Sequence, residues 1–219
     1  MKGRGDAFIA KHAFSPAAAG ARLPPQLYFV VSAVFHYLGP AFAVLLFAHV
    51  EPLGVAWLRI ASAALLFAAW RRPWRYFLQQ DAAVRRNIVW LGVVLGCMNA
   101  CFYLAIARLP LATVGAIEFL GPIALALAGL RTRRNAAAFA LVAAGVWLLT
   151  QPRLAGTPLG FAFAFANCAL FALYIVLGHR LAADGGGSGI DRLAAAMPVA
   201  LAAATLIGIR PALPALADP

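Results

Sequence analysis

The sequence predicts an all-α membrane protein of about seven transmembrane helices, and three observations carry that reading. Hydrophobic residues fill 64% of the 219 positions and charged residues only 11%, too little polar surface for a water-soluble domain of this size. The few charges are clustered, leaving runs without Asp, Glu, Lys or Arg at 23–50, 87–107, 135–152, 154–179 and 193–209. Runs of about this length cross ~30 Å of hydrocarbon as helices. Finally, the basic residues alternate between the two ends of the spans, which is the pattern that sets membrane orientation.

Taken in order, helix one covers about 27–49, two 53–70, three 88–107, four 111–130, five 136–150, six 158–180 and seven 193–209. Helices two and four each carry a single charge, Arg59 and Glu118. The connections 50–52 and 108–110 are short enough to make their flanking helices antiparallel neighbours. The longer stretch 71–86 holds Trp74, Tyr76 and Phe77, residues that suit a segment lying at the headgroup level. In 182–192 the run Gly185-Gly186-Gly187-Ser188-Gly189 reads as a flexible linker. Within helix three, Gly92 and Gly96 have the small-xxx-small spacing that lets two membrane helices approach closely.

Seven spans with the N-terminus inside put fourteen of the 18 Lys and Arg residues on the cytoplasmic side, in 1–22, 71–86, 131–134 and at Arg180 and Arg192. Only Arg108, Arg153 and Arg210 fall outside, and Arg59 stays within a span. A net charge of +11 would fit a nucleic-acid binder, but a nucleic-acid surface would not alternate with apolar spans, so no such partner is expected. Residues 1–26 read as a cytoplasmic tail. No apolar core of a cleavable signal precedes the first span. The chain then runs out on the outer side in 210–219 without a closing domain, an ending that reads as an interruption.

The residues that could carry chemistry are few. An intramembrane charge costs from ~2.5 kcal/mol upward and normally faces a partner or a water-filled cavity. At ~1.5 Å per residue, Arg59 and Glu118 lie roughly 9 and 10 Å below the outer surface, so they could pair or hold opposite ends of a zwitterion. The bland alternative has Arg59 snorkelling outward and Glu118 packed as a protonated acid. Asn99 and Asn167 fall at roughly 12–14 Å by the same rise, either lining a polar pocket or serving as interhelical hydrogen bonds. His36, three residues before Gly39-Pro40, either shuttles protons or satisfies a carbonyl freed by the kink. Tyr103 and Tyr174 line a cavity or pack.

Cys97 and Cys101 share one helical face, where packing is the expected role and a metal the alternative. No hydrolase elbow, zinc-protease motif, phosphate-binding loop or retinal lysine is present in the sequence. The reading is therefore a non-enzyme without cofactor or metal, handling a small polar solute within the lipid bilayer.

Helices two to four carry a family resemblance. Met98-Asn99-Ala100-Cys101-Phe102-Tyr103-Leu104-Ala105-Ile106, then Leu109-Pro110-Leu111, then Ala116-Ile117-Glu118-Phe119-Leu120-Gly121-Pro122-Ile123-Ala124 resembles the threonine/homoserine exporter branch of the EamA-type drug/metabolite transporters. Trp57-Leu58-Arg59-Ile60-Ala61 is similar to the helix-two signature of the same group. The resemblance spans about 27–210 and implies a multi-pass exporter of the bacterial inner membrane, built from two five-helix repeats of opposite orientation with the solute site between them. It makes 27–150 the first repeat and 157–219 the start of a second, truncated one, about three helices short of ten.

On this reading Glu118 and Arg59 hold the ammonium and carboxylate of a small amino acid, with Asn99, Asn167 and Tyr103 as further contacts. Glu118, with His36, is alternatively the proton-coupling group. The other classes in play are a complete seven-helix receptor or sensor, a non-functional truncated transporter, and a membrane enzyme whose catalytic constellation is not apparent.

Overall fold

The computed structural model describes residues 25–129, 132–150, 157–183 and 187–217, and all regular structure among them is helical. The helices are α1 (Pro25–Ala43), α2 (Pro52–Arg71), α3 (Pro73–Gln79), α4 (Ala82–Ile106), α5 (Leu111–Gly129), α6 (Arg133–Thr150), α7 (Pro158–Ala183) and α8 (Gly189–Ala217). A 3-10 turn at Val44–Ala48 follows α1. The chain divides into two units after Gly39, within α1, and α2 to α8 belong to the second unit.

Five of these helices are long and apolar enough to cross a membrane: α2, α4, α5, α7 and residues Gly189–Leu213 of α8. The chain is an all-α, multi-pass membrane protein. The expected helices one and five are present as α1 and α6, yet neither is among those five. At α1 the apolar helical run is the shorter Val34–Ala48, which continues through the 3-10 turn. Helix α6 opens on Arg133, Arg134 and Asn135, which leaves too short an apolar remainder in its 18 residues. Among the described residues the seven-span expectation is therefore met by five spans.

The helix ends follow from local chemistry. Pro52 starts α2 at a position where its missing N–H has no helical acceptor. Arg72, at φ 48°, takes the left-handed conformation that ends α2 and turns the chain into α3. That short helix occupies the segment expected at the headgroups, with Trp74 exposed and Pro73 buried. Asp81 caps α4 by accepting from the Val84 amide at 2.9 Å.

In the second unit α4 is the central helix, packed against α7, α8 and α2, while α5 packs on α7 and α6 on α5. Small residues set these distances. A methyl group at Gly92 would come within 2.6 Å of the Ala196 carbonyl oxygen, and one at Gly96 within 3.0 Å of the Ala200 carbonyl oxygen. The glycine spacing read from the sequence thus brings α4 against α8. Helices α2 and α8 run antiparallel: Gly54 abuts Pro211 near one end, Arg71 meets Asp191 at the other, and Trp57 Nε1 donates to Thr205 Oγ1 at 2.8 Å between them.

These contacts sort the connections by end. Tyr76 lies against Gly187, so the basic 71–86 stretch and the residues preceding α8 share one end. Gly160 lies against Arg108 and Leu109, so the α4–α5 connection and the start of α7 share an end as well. That grouping matches the alternation read from the charges.

Candidate functional site

Helices α5 and α7 bring together two polar side chains in an otherwise apolar interior. Glu118 on α5 is 3% exposed and Asn167 on α7 is 0% exposed. Asn167 Nδ2 donates to Glu118 Oε1 at 3.2 Å, while Asn167 Oδ1 has no hydrogen-bond partner. The helices meet here because Gly121, one turn beyond Glu118, has no side chain: a methyl there would sit 2.8 Å from the Cys168 carbonyl oxygen. Thr113, also on α5, is a further buried polar residue. Val114, Ile117 and Ala164 belong to the apolar cluster that lines these same two helices.

Arg59 is placed differently from the pairing considered in the sequence. Among the described residues it forms no ion pair with Glu118. Its guanidinium carbon instead lies 5.9 Å from the centre of the Tyr103 ring, within the range of a cation–π contact. Tyr103 itself is 1% exposed and sits edge-on to Phe47 and Phe102, so its ring is a packing element of the α4 core. Asn99, one turn before Tyr103 and 7% exposed, donates to the Ala56 carbonyl oxygen at 2.9 Å and ties α4 to α2. Of the two roles open to Asn99, the structure shows the interhelical hydrogen bond.

His36 belongs to the first unit, where it is exposed and stacks edge-on against Tyr37 at 4.9 Å. Tyr174 is partly buried against the α4–α7–α8 cluster. Cys97 is exposed and Cys101 half-buried, and among the described residues no group of three or more His, Cys, Asp or Glu could hold a metal. A surface hollow of about 530 Å³ opens between α5 and α6, lined by Leu127, Ala128, Thr132, Arg133 and Ala136. It is wide open, apolar for the most part, and lies two to three helical turns from Glu118. The buried carboxylate with its amide, rather than this hollow, is the place equipped for polar chemistry.

Comparison with known proteins supplies the relationship. The threonine/homoserine exporter RhtA of Escherichia coli strain K12 is 35% identical over 151 residues, 68% of this chain and 50% of that exporter. Its counterpart from Salmonella typhimurium strain LT2 is 34% identical over the same shares. The chain is a homologue of the threonine/homoserine exporters. This agrees with the motifs in α2, α4 and α5 that carried the resemblance. The chain spans about half the length of the curated relatives it matches. No family model and no solved structure matches it.

Two polar constellations of this exporter homologue were not singled out from its sequence. One is Trp57–Thr205, whose hydroxyl also donates to the Leu201 carbonyl oxygen at 2.7 Å. Its only signal was a threonine within a span facing a tryptophan able to donate. The other joins Arg71, Ser188 and Asp191. Ser188 Oγ donates to Asp191 Oδ2 at 2.8 Å and accepts from the Asp191 amide, while Asp191 Oδ2 accepts from the Ser188 amide. This is a capping box, and its Ser-x-x-Asp spacing was legible. The expected linker is therefore ordered at its last residues; 184–186 lie outside the described residues.

Proposed function

We propose that the chain is a transporter that exports small amino acids of the threonine/homoserine kind across the bacterial inner membrane, with its N-terminus cytoplasmic. The observation that carries this reading is its 35% identity, over 68% of its length, to a threonine/homoserine exporter. The geometry supports it with the Glu118 carboxyl group, buried between two apolar helices, a costly feature for a structural role alone. In this reading 27–150 is one five-helix repeat and 157–219 the opening of an inverted second. The Glu118–Asn167 contact then lies between the repeats, where a shared solute site belongs. Glu118 binds the solute or carries the coupling proton, and Arg59 takes the carboxylate end.

Efflux of labelled threonine and homoserine from cells expressing the protein tests this, with membrane abundance followed in parallel. Glu118→Gln is expected to abolish efflux at unchanged abundance. Efflux equal to the parent would remove Glu118 from the site, and no efflux from the parent would remove the exporter reading.

A further inference from the structure

The amide of Asn167 is left half-used. It is fully buried, its Nδ2 is spent on Glu118, and its Oδ1 accepts from nothing. Buried acceptors are nearly always satisfied, because stripping an oxygen of water without replacing the hydrogen bond is unfavourable. An orphan in a region of low dielectric marks a place where some donor belongs. The partner already held by the same amide says which donor. A carboxylate oxygen lies 3.2 Å from Nδ2, so the groups presented here are acceptors on two facing helices. A water would satisfy the amide oxygen alone, whereas a primary ammonium supplies three N–H donors and a positive charge next to the carboxylate.

We infer that Asn167 Oδ1 and the Glu118 carboxylate form a receptor for a primary ammonium group. Asn167 is thereby the residue that selects amino acids over hydroxy acids of the same shape. That the ammonium belongs to an exported amino acid rests on the function proposed above; the receptor itself rests on the orphaned oxygen. The role is distinct from the interhelical bond that Asn99 makes, since the Asn99 amide donates to a backbone carbonyl and not to a carboxyl group. Close packing of Gly121 on Cys168 holds α5 against α7 beside this pair.

The test is titration calorimetry on the purified protein in detergent with three probes. These are L-threonine, L-threoninol (an alcohol in place of the carboxylate) and 2,3-dihydroxybutanoate (a hydroxyl in place of the ammonium). Threonine and threoninol are expected to bind at least tenfold more tightly than dihydroxybutanoate. Asn167→Leu is expected to weaken both amines at least tenfold and to leave dihydroxybutanoate unchanged. Asn167→Ser, which keeps a smaller acceptor, should fall between. Dihydroxybutanoate binding as tightly as threonine to the parent would overturn the receptor whether or not the variants fold, as would a parent that binds none of the three. Export of threonine by the parent, together with undiminished threonine binding by both variants, would overturn the receptor and leave the exporter reading intact. Asn167-dependent threoninol binding without threonine or homoserine export would do the reverse.

Discussion

Arg71 and Asp191 lie 120 residues apart in sequence and meet at 2.6 Å, joining the C-terminus of α2 to the first turn of α8. The pair closes one end of an antiparallel helix contact whose middle is held by Trp57 and Thr205. Its two members are unequal. Arg71 has Asp191 and a long contact to Ser188, and its guanidinium also sits over the Trp70 ring. Asp191 belongs both to the ion pair and to the capping box that starts α8.

That inequality gives a ranked prediction. Half-exposed ion pairs contribute at most ~1 kcal/mol, so Arg71→Ala should shift thermal unfolding in detergent only slightly. Asp191→Ala removes the same pair and the cap as well, and caps are worth about 1 kcal/mol on their own. Asp191→Ala should therefore be clearly the more destabilising, and Asp191→Asn, which keeps an acceptor for the Ser188 amide, should recover part of the loss. Equal destabilisation by Arg71→Ala and Asp191→Ala would mean that the cap contributes nothing.

The glycines on α4 and α7 make a matched pair of controls. At Gly92 an added methyl would meet the Ala196 carbonyl oxygen and Val199 Cβ, both at 2.6 Å, whereas at Gly178 nothing lies within 4 Å. Overpacking of this kind costs about 1–3 kcal/mol, and Gly→Ala at an open helical site gains up to ~1 kcal/mol. Gly92→Ala should lower the unfolding temperature and Gly178→Ala should leave it unchanged or raise it. A tolerated Gly92→Ala would show that α4 and α8 are not in close contact.

The same helices show what a sequence can and cannot specify. Span positions were legible because a membrane imposes a length and an apolarity on any helix that crosses it, and α2, α4, α5 and α7 begin and end within a few residues of expectation, save that α4 starts earlier, at Ala82. Gly92 and Gly96 were legible because their spacing is itself the packing feature. The partner of Arg59 was not. Counting residues gives the height of a side chain in the membrane but not the direction in which it points around the helix. Arg59 and Glu118 matched in height, yet Arg59 faces Tyr103 and Glu118 faces Asn167. Asn167 also matched in height, and it is the one that azimuth joined to Glu118.

Asn99 and Tyr103, one turn apart on α4, should respond to substitution as structural residues. Asn99→Ala removes the bond to Ala56, and interhelical hydrogen bonds in membranes average about 0.6 kcal/mol with a ceiling near ~1.7 kcal/mol. A modest fall in unfolding temperature with export retained is expected. Tyr103→Phe keeps the ring that packs on Phe47 and Phe102 and lies under Arg59, so stability and efflux should both be unchanged. Loss of efflux in Tyr103→Phe at normal abundance would assign the hydroxyl to the solute.

Gly121 provides the sharpest test of where the site lies. Its missing side chain lets the Cys168 backbone approach, and the helices that it brings together carry Glu118 one turn earlier and Asn167 one residue earlier. Gly121→Ala would place a methyl 2.8 Å from the Cys168 carbonyl oxygen, and backbone cannot yield as a flexible side chain can. The helices must then separate by several tenths of an ångström, which stretches a 3.2 Å hydrogen bond beyond useful length. Gly121→Ala should cut threonine efflux at least tenfold, while the same change at Gly129, where nothing lies within 4 Å, should leave efflux intact. The two substitutions add the same methyl to the same helix, so a shared effect on helix propensity cancels between them. Equal efflux from both variants would mean that the α5–α7 contact, and the Glu118–Asn167 pair within it, is not on the transport path.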